Sequence, residues 1–172
     1  MRGLFIGRFQ PLHNGHLSII EHAISEVDEL IIGIGSAEKS YLPKDPFTAG
    51  ERMDMILSVS KMRGWDGRII PVSIRDINRY SVWVEHVVSL CPGFDVVYTN
   101  NPLTRTLFER SGYEVRDTPL VDRSLLSGEQ IRKRISDGGY WEALLPEAVS
   151  GYIIEIGGVD RIKMIFGPGD SD

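Results

Sequence analysis

The stretch that decides the fold is Gly7-Arg8-Phe9-Gln10-Pro11-Leu12-His13-Asn14-Gly15-His16. It follows a short apolar run, residues 3–6, and precedes apolar residues at helical spacing over 17–24. A strand therefore passes directly into a helix at this point. Because the first N–H groups of a helix are unpaired and lie at the positive end of its dipole, the junction predicts an anion site. An arginine and two histidines at this junction make phosphate the ligand to expect.

Short apolar runs and helical patterns alternate along most of the chain. We predict strands at 2–6, 29–34, 68–74, 95–98 and 113–115, and helices at 15–27, 49–62, 81–90, 102–110 and 128–136. Several of the strand runs are continuously apolar, which is typical of parallel strands covered by helices on both faces. This order predicts an α/β fold, a Rossmann-like, doubly wound parallel five-stranded sheet flanked by helices. Such sheets bind ligands beyond the carboxyl ends of their strands.

The last part of the chain has a different character. Asp137-Gly138-Gly139 ends the preceding helix, and short helices follow at 141–145, 148–156 and 159–166. We interpret residues 140–166 as a small C-terminal helical appendage on a single domain that covers 1–172. The tail, 167–172, is expected to be frayed.

Bulk composition narrows the class of protein. With 172 residues, 42% hydrophobic and 25% charged, the chain has the composition of a globular protein. A net charge of -5 argues against nucleic acid or an anionic membrane as partner, although a local cationic cluster can still hold a small anion. The single Cys91 excludes an intrachain disulfide framework and a cysteine-rich metal site. No apolar run approaches the ~20 residues of a membrane helix, and no signal peptide is visible, so we expect a cytoplasmic protein.

The two histidines carry the strongest functional signal. Residues three apart at a helix start can point the same way, so His13 and His16 could donate hydrogen bonds to one phosphate chain. Gly15 between them would let a ligand approach the backbone closely. The alternative is an N-cap histidine followed by a partly buried one. A zinc site would need more ligands than two histidines provide.

Further polar residues follow the other predicted strands. The loop 35–47 is long for a strand-to-helix connection, and its Lys44, with Arg52 beyond it, could reach phosphates or be ordinary solvated charges. The loop 75–80 could hydrogen-bond an amide or ribose while Trp83 stacks on a ring. The alternative places Trp83 in the core of its helix, and both interpretations stay open.

The predicted helix from residue 128 carries cations in its first two turns, at Arg132, Lys133 and Arg134. Cations near a helix N-terminus oppose its dipole, at a cost of ~0.3–1 kcal/mol each when exposed. A bound anion would relieve that conflict, whereas an ordinary basic helix would not.

Together these segments carry a family resemblance. They comprise the stretch at 7–16, Asp-Pro-Phe-Thr-Ala-Gly-Glu-Arg at 45–52, Trp83 after Arg-Asp-Ile-Asn, Thr-Asn-Asn-Pro-Leu at 99–103 and Ser-Gly-x-x-Ile-Arg at 127–132. The chain resembles the nucleotidyltransferase superfamily with the HxGH signature and, more closely, the archaeal-type nicotinamide-nucleotide adenylyltransferases. The matching segments span residues 3 to about 156. The chain departs from that pattern at Glu129, where the family usually has threonine.

The resemblance implies a reaction of ATP with nicotinamide mononucleotide (NMN) that gives NAD and pyrophosphate by direct in-line attack on the ATP α-phosphorus. It implies catalytic roles for His16, His13, Arg8, Lys44 and Lys133. It implies ATP binding by Gly7, Arg8, Phe9, His13, Gly15, His16, Asn101, Ser127, Arg132 and Lys133. It implies NMN binding by Gln10, Ser36, Asp76, Ile77, Asn78 and Trp83.

The resemblance also implies Mg²⁺, bound mainly through the ATP phosphates, and a homo-oligomer that could be a hexamer. It implies no protein-bound metal. The alternatives are a transferase of the same superfamily that uses phosphopantetheine, flavin mononucleotide or glycerol phosphate, and an inactive nucleotide-sensing module. Trp83 and the loop 76–78 favour the nicotinamide acceptor, whereas Glu129 is the feature that favours the sensor.

Overall fold

A parallel sheet of five strands forms the centre of the molecule, whose computed structural model describes residues 1–166. The strands are β1 (Arg2–Gly7), β2 (Glu29–Ile34), β3 (Ile69–Ser73), β4 (Val96–Tyr98) and β5 (Glu114–Arg116). Their order across the sheet is β3-β2-β1-β4-β5, and every pairing is parallel. In the register of the central strand, Phe5 lies between Ile32 of β2 and Tyr98 of β4. The predicted Rossmann-like sheet is confirmed.

Seven helices accompany the sheet within residues 1–166. They are α1 (Asn14–Glu26), α2 (Ala49–Arg63), α3 (Trp83–Leu90), α4 (Pro102–Arg110), α5 (Gly128–Ser136), α6 (Glu147–Glu155) and α7 (Gly158–Phe166). The helix predicted from residue 81 begins later, because Tyr80–Val82 form a separate 3₁₀ turn before Trp83. None of the helices described is long and apolar enough to cross a membrane.

Side chains that alternate along the strands explain why helices cover both faces of the sheet. Phe5 belongs to a core shared with α1, α2 and α5, whereas its neighbour Leu4 belongs to a second core shared with α3 and α4. The same alternation separates Ile32 from Ile31 on β2. Successive side chains of a strand point to opposite faces, so continuous apolar runs are needed where both faces are covered.

Of the C-terminal helices predicted after residue 140, the last two are present as α6 and α7 and pack on the larger core, whereas the first is a 3₁₀ turn, Glu142–Leu144. Val149 and Ile153 of α6 and Ile162 of α7 are fully buried there. Gly158 sits so close to its neighbours that a Cβ would lie 3.0 Å from the Phe47 ring. These helices therefore extend the layer that contains α1 and α2. The predicted frayed tail, 167–172, lies outside the residues described.

The topology creates one point where the chain reverses its direction across the sheet. It proceeds from β1 through β2 to β3 at one edge, then returns past β1 to β4 and β5. The connections after β1 and after β4 therefore leave in opposite directions, which opens a crevice at the carboxyl ends of these two strands. The Gly7-to-His16 stretch lies at this crevice.

Candidate active site

A large cleft lies at the carboxyl ends of β1, β4 and β5, with a volume of about 1340 Å³. It is lined mainly by residues that follow these three strands, by Pro43 and Lys44 of the loop after β2, and by the first turns of α5. The lining includes Gly7, Arg8, Phe9, Gln10, His13, Gly15, His16, Lys44, Asn101, Ser127, Arg132 and Lys133. Every residue of the predicted ATP-binding set is thus brought to one cavity, which we call the large cleft.

His13 and His16 form a reciprocal cap at the start of α1. His13 Nδ1 accepts a hydrogen bond from the His16 backbone N–H at 3.3 Å, and His16 Nδ1 accepts one from the His13 backbone N–H at 3.2 Å. The rings stack with centroids 3.7 Å apart, and the Phe9 ring packs 4.7 Å from that of His16. Serine or threonine with glutamate usually forms this kind of box. The alternative left open by the sequence, an N-cap histidine followed by a partly buried one, is therefore present, and both rings also line the large cleft.

The cap also fixes the protonation of both rings. Since each Nδ1 accepts a hydrogen bond, the neutral ring carries its proton on Nε2 and offers one N–H donor. Burial, with a smaller contribution from the charge of Arg123, lowers the pKa of His13 to about 4. Burial, followed by the neighbouring His13, holds the pKa of His16 well below its ordinary value. At neutral pH the pair therefore consists of two neutral hydrogen-bond donors.

Charge in the large cleft is strongly positive, although the protein as a whole is acidic. Its walls carry five cationic side chains, those of Arg8, Lys44, Arg123, Arg132 and Lys133. Among the residues described, Glu129 is the one carboxylate in the lining. A cleft of one charge sign attracts ligands of the opposite sign, so this lining suits a polyanion.

Arg132 is the cation most closely built into the wall. It is buried, and its Nη1 donates to the Gln10 carbonyl oxygen at 2.8 Å. Its Nε is buried without a hydrogen-bond partner among residues 1–166. Gly128 makes room for this side chain, because a Cβ there would lie 2.7 Å from Arg132 Nη1. A buried unpaired donor on a cation is costly, which indicates a site for an anionic ligand.

A second cavity, which we call the small pocket, lies beyond β2 and β3 and has a volume of about 240 Å³. It is lined by Ser36, Asp76, Ile77, Asn78, Arg79, Tyr80 and Trp83. Five of the six residues predicted to bind NMN therefore meet here, and the sixth, Gln10, lies in the large cleft.

Asp76 is held in the wall of the small pocket. Its Oδ2 accepts from Ser36 Oγ at 2.9 Å and pairs with Lys39 Nζ at 2.9 Å. Burial opposes its ionisation, but the bonds from Lys39 and Ser36 outweigh burial and lower the pKa of Asp76. Trp83 is half-buried and packs edge-on against Phe108, so it belongs both to the pocket wall and to the margin of the core.

Two expectations about side chains are wrong. Arg52, expected to reach phosphates, is completely buried and donates to backbone carbonyls. Gln10, expected to contact NMN, has both ends of its amide bonded to the backbone of Phe47 at 2.9 Å. Gly15 lines the large cleft, and a Cβ there would lie 2.6 Å from Val121 Cγ1, so packing within the protein already requires glycine at this position.

Two predicted ATP-site residues act as helix caps. Asn101 Oδ1 accepts from the Thr104 N–H at 3.0 Å, and Ser127 Oγ accepts from the Gln130 N–H at 3.2 Å. Ser127 with Gln130 three residues later matches the sequence pattern of a capping box, but only the serine half of that box is present. Both caps place helix N-termini at the large cleft, where N–H groups favour anions.

The sequence pattern does not identify the segment 118–123, which follows β5, as part of the site. Thr118, Pro119, Leu120, Val121 and Arg123 form the wall of the large cleft beside the histidines. The side chain of Asn100 links this segment to the end of β4, since its amide exchanges hydrogen bonds with the Thr118 backbone at 2.7 and 2.8 Å. The Thr-Asn-Asn-Pro motif was the available signal, but it does not say what Asn100 contacts.

Backbone strain concentrates at these two cavities. Four residues other than glycine have a positive φ within residues 1–166, and three of them line a cavity: Phe9 at 54°, Ser36 at 47° and Asn78 at 54°. Such conformations persist only where the surrounding structure holds them, and they cluster at functional sites. Over the same residues, no group of three or more His, Cys, Asp or Glu side chains converges as metal ligands would.

The fold and this site define a nucleotidyltransferase. The family model described as cytidylyltransferase-like matches residues 4–134. The chain is similar to a nicotinamide-nucleotide adenylyltransferase of Haloarcula marismortui, at 49% identity over 100% of this chain and 89% of the relative. It is 51% identical to the one from Methanococcus aeolicus, over 96% of this chain and 95% of the relative.

A solved structure shares the fold, that of a bifunctional NMN adenylyltransferase/ADP ribose pyrophosphatase from Francisella tularensis in complex with AMP and a manganese ion. Its TM-score is 0.78 at 18% identity, over 95% of this chain and 51% of that one. This chain therefore spans about half the length of the bifunctional protein. It belongs to the cytidylyltransferase-like family and, within it, to the nicotinamide-nucleotide adenylyltransferases.

Proposed function

We propose that this enzyme joins ATP and NMN to give NAD and pyrophosphate. The observation that carries the proposal is the stacked pair of neutral histidines in a cleft with five cationic side chains. Such a cleft suits a triphosphate, and the small pocket, with one aromatic wall and one fixed carboxylate, suits a nicotinamide ring. In this assignment ATP occupies the large cleft and the ring of NMN occupies the small pocket.

The reaction itself requires little chemistry from the protein. A 5′-phosphate oxygen of NMN forms a bond to the ATP α-phosphorus, and the bond from that phosphorus to the bridging oxygen breaks as pyrophosphate leaves. The nucleophile needs no general base, because the second pKa of a phosphate monoester is about 6 and the group is already ionised at neutral pH. Catalysis then depends on alignment and on stabilising the charge that develops on the phosphoryl oxygens.

Each part of the large cleft has a role in this scheme. His13 and His16 donate from Nε2 to the phosphates, and His16 stabilises the transition state at the α-phosphorus. Arg8 and Lys44 neutralise phosphate charge as the two substrates approach each other. Arg132 and Lys133, with the N–H groups at the start of α5, hold the β- and γ-phosphates that leave as pyrophosphate.

The small pocket would bind the acceptor by stacking and hydrogen bonding. Trp83 stacks on the nicotinamide ring, and the segment from Asp76 to Asn78 hydrogen-bonds its amide. Ser36 and Gln10 support the site indirectly. Ser36 Oγ donates to Asp76 Oδ2 at 2.9 Å and orients that carboxylate, and the Gln10 amide fixes the loop at Phe47.

The site fits Mg²⁺ that arrives with ATP better than a resident ion. Among the residues described, the cleft offers one carboxylate and several cations. Mg²⁺ usually keeps waters and substrate phosphates as ligands, so a protein cage is unnecessary. Bound to ATP, it would neutralise charge on the phosphates. We further propose, from the family resemblance, a cytoplasmic homo-oligomer.

A single assay tests the proposal. Purified protein with Mg²⁺ and ATP is supplied in turn with NMN, phosphopantetheine, flavin mononucleotide and glycerol phosphate, and both pyrophosphate and the coupled product are measured. NAD and pyrophosphate should appear in equal amounts with NMN alone. Absence of NAD would refute the proposal, and ATP binding without pyrophosphate from any acceptor would identify a sensor.

A further inference from the structure

Arg52, in the second turn of α2, is the largest fully buried side chain among the residues described. It lines neither cavity and pairs with no carboxylate of residues 1–166. Burying a cation is costly unless other groups satisfy it, and this cation also lies near the positive end of a helix. Other groups must therefore stabilise the buried guanidinium at this position.

Six backbone carbonyl oxygens surround the guanidinium group. Nη1 donates to Arg8 and to Gly35, both at 2.9 Å. Nη2 donates to Ser36 at 3.2 Å, Lys39 at 3.3 Å and Ala37 at 3.4 Å, and Nε donates to Thr48 at 3.2 Å. One side chain thus connects the loop after β1, in the large cleft, with the loop after β2, in the small pocket.

The carbonyls it holds lie at the strained residues. The Arg8 carbonyl belongs to the peptide that enters Phe9, whose φ is 54°. The Gly35 carbonyl belongs to the peptide that enters Ser36, whose φ is 47°. Left-handed conformations are unfavourable for both residue types, and Arg52 bonds to the peptide preceding each.

Both strained residues orient a group of the proposed site. The Phe9 ring lies 4.7 Å from that of His16 and packs it into the cleft wall. Ser36 Oγ donates to Asp76 Oδ2 at 2.9 Å in the small pocket. Displacement of either backbone would move one half of the site relative to the other.

We propose that Arg52 is a positioning residue, which fixes the large cleft and the small pocket at the separation that in-line transfer requires. This inference rests on the proposed function. Arg52 touches no substrate, so each substrate alone should bind normally without it, and the alignment of the two should fail. A misplacement of about 1 Å can lower a rate by about 100-fold.

The test uses Arg52→Lys, which keeps the charge but cannot reach both sets of carbonyls, and Arg52→Gln, which removes the buried charge and keeps two N–H donors. We expect kcat to fall about 100-fold. Calorimetry with a non-hydrolysable ATP analogue and, separately, with NMN should give dissociation constants within about threefold of wild type. Arg63→Lys, on the same helix and paired with Glu21 at the surface, is the matched control with unchanged kcat.

A purely structural role would give another result: a lower Tm with kcat per folded molecule unchanged, and that outcome would overturn the proposal. A double-mutant cycle that combines Arg52→Lys with Ser36→Gly adds a second check. Glycine adopts a positive φ without steric cost, so the loss caused by Arg52→Lys should be smaller in that background. Additive losses would also overturn it. If the wild-type enzyme makes no NAD, the proposed function fails, which is a separate outcome.

Discussion

The large cleft and the small pocket both lie beyond the carboxyl ends of the strands, yet their linings differ in chemistry. The large cleft has five cationic side chains, two neutral imidazoles and helix N-termini, and it is open to solvent. The small pocket has one ionised carboxylate held by two donors, a strained backbone and one tryptophan. The first can hold a flexible polyanion by charge, whereas the second can select a flat ring by shape.

This difference indicates which side chains of each cavity can be replaced without loss of substrate binding. Charge acts over several ångströms, so no single cation of the large cleft should be indispensable for holding a triphosphate. A stacked ring depends on direct contact and should be sensitive to one side chain. The histidine pair is neutral and acts by direct contact although it lies in the large cleft, because the reciprocal cap at the start of α1 fixes its donors in place.

The largest expected effect is therefore that of His16→Ala, which should lower kcat by about 100- to 1000-fold, as loss of a preorganised donor does. The dissociation constant for NMN should change little, since the ring site is elsewhere. Steady-state kinetics with calorimetry for NMN would check this. His22→Ala, on the outer side of α1 near Glu26, should behave as wild type. An unchanged kcat would remove His16 from the mechanism and make the large cleft a binding site only.

Arg132→Lys should have the next largest effect. It keeps the charge but loses Nε–H, the buried donor without a partner, and the planar fork. A hydrogen bond to a charged group contributes about 1.5–3 kcal/mol, so kcat/KM for ATP should fall about 10- to 100-fold. The matched change is Arg134→Lys on the same helix, whose side chain bonds the Tyr140 carbonyl oxygen outside the cleft. Equal effects of the two substitutions would mean that Arg132 contributes only charge.

Trp83→Ala tests the small pocket alone. Stacking on an aromatic side chain contributes about 1–3 kcal/mol per base, so KM for NMN should rise about tenfold or more while KM for ATP stays constant. Trp83→Phe, which keeps a ring against Phe108, should recover most of the loss. Equal increases in both KM values would indicate that the tryptophan acts through the core instead of through the pocket.

Much of this molecule follows from local pattern. Hydrophobic periodicity predicts the strands and helices, and the structure contains them. Thr48 followed three residues later by Glu51 is the sequence pattern of a capping box, and that box is present at the start of α2. The parallel order also follows, because alternating strands and helices permit few topologies. Four of the five cations in the large cleft, all except Arg123, were predictable because sheets of this class place strand-end loops together.

The errors share one cause, which is that sequence does not show what a polar side chain contacts. Arg52 and Lys44 looked equivalent as phosphate ligands, but one is buried among carbonyls and the other is exposed at the cleft. Gln10 looked available, yet its amide is bonded to a loop 37 residues away. Arg123 belongs to a loop whose path no periodicity describes, so only the fold could bring it beside the histidines.

The smallest expected effect concerns Glu129, which reduces the charge contrast between the two cavities. It is exposed in the first turn of α5, and it is the carboxylate that lines the large cleft among the residues described. Because an exposed like charge repels a triphosphate only weakly through water, Glu129→Gln should lower KM for ATP by about two- to fivefold, and the gain should shrink at high salt. Glu129→Thr should give the same gain if charge is the cause, and a larger one if a hydroxyl contacts phosphate. Glu147→Gln, also in the first turn of a helix but away from the cleft, controls for the helix itself. A rise in KM for ATP with either change at Glu129 would instead assign the carboxylate to the Mg²⁺ that accompanies the triphosphate, and the large cleft would then recognise a metal complex as well as an anion.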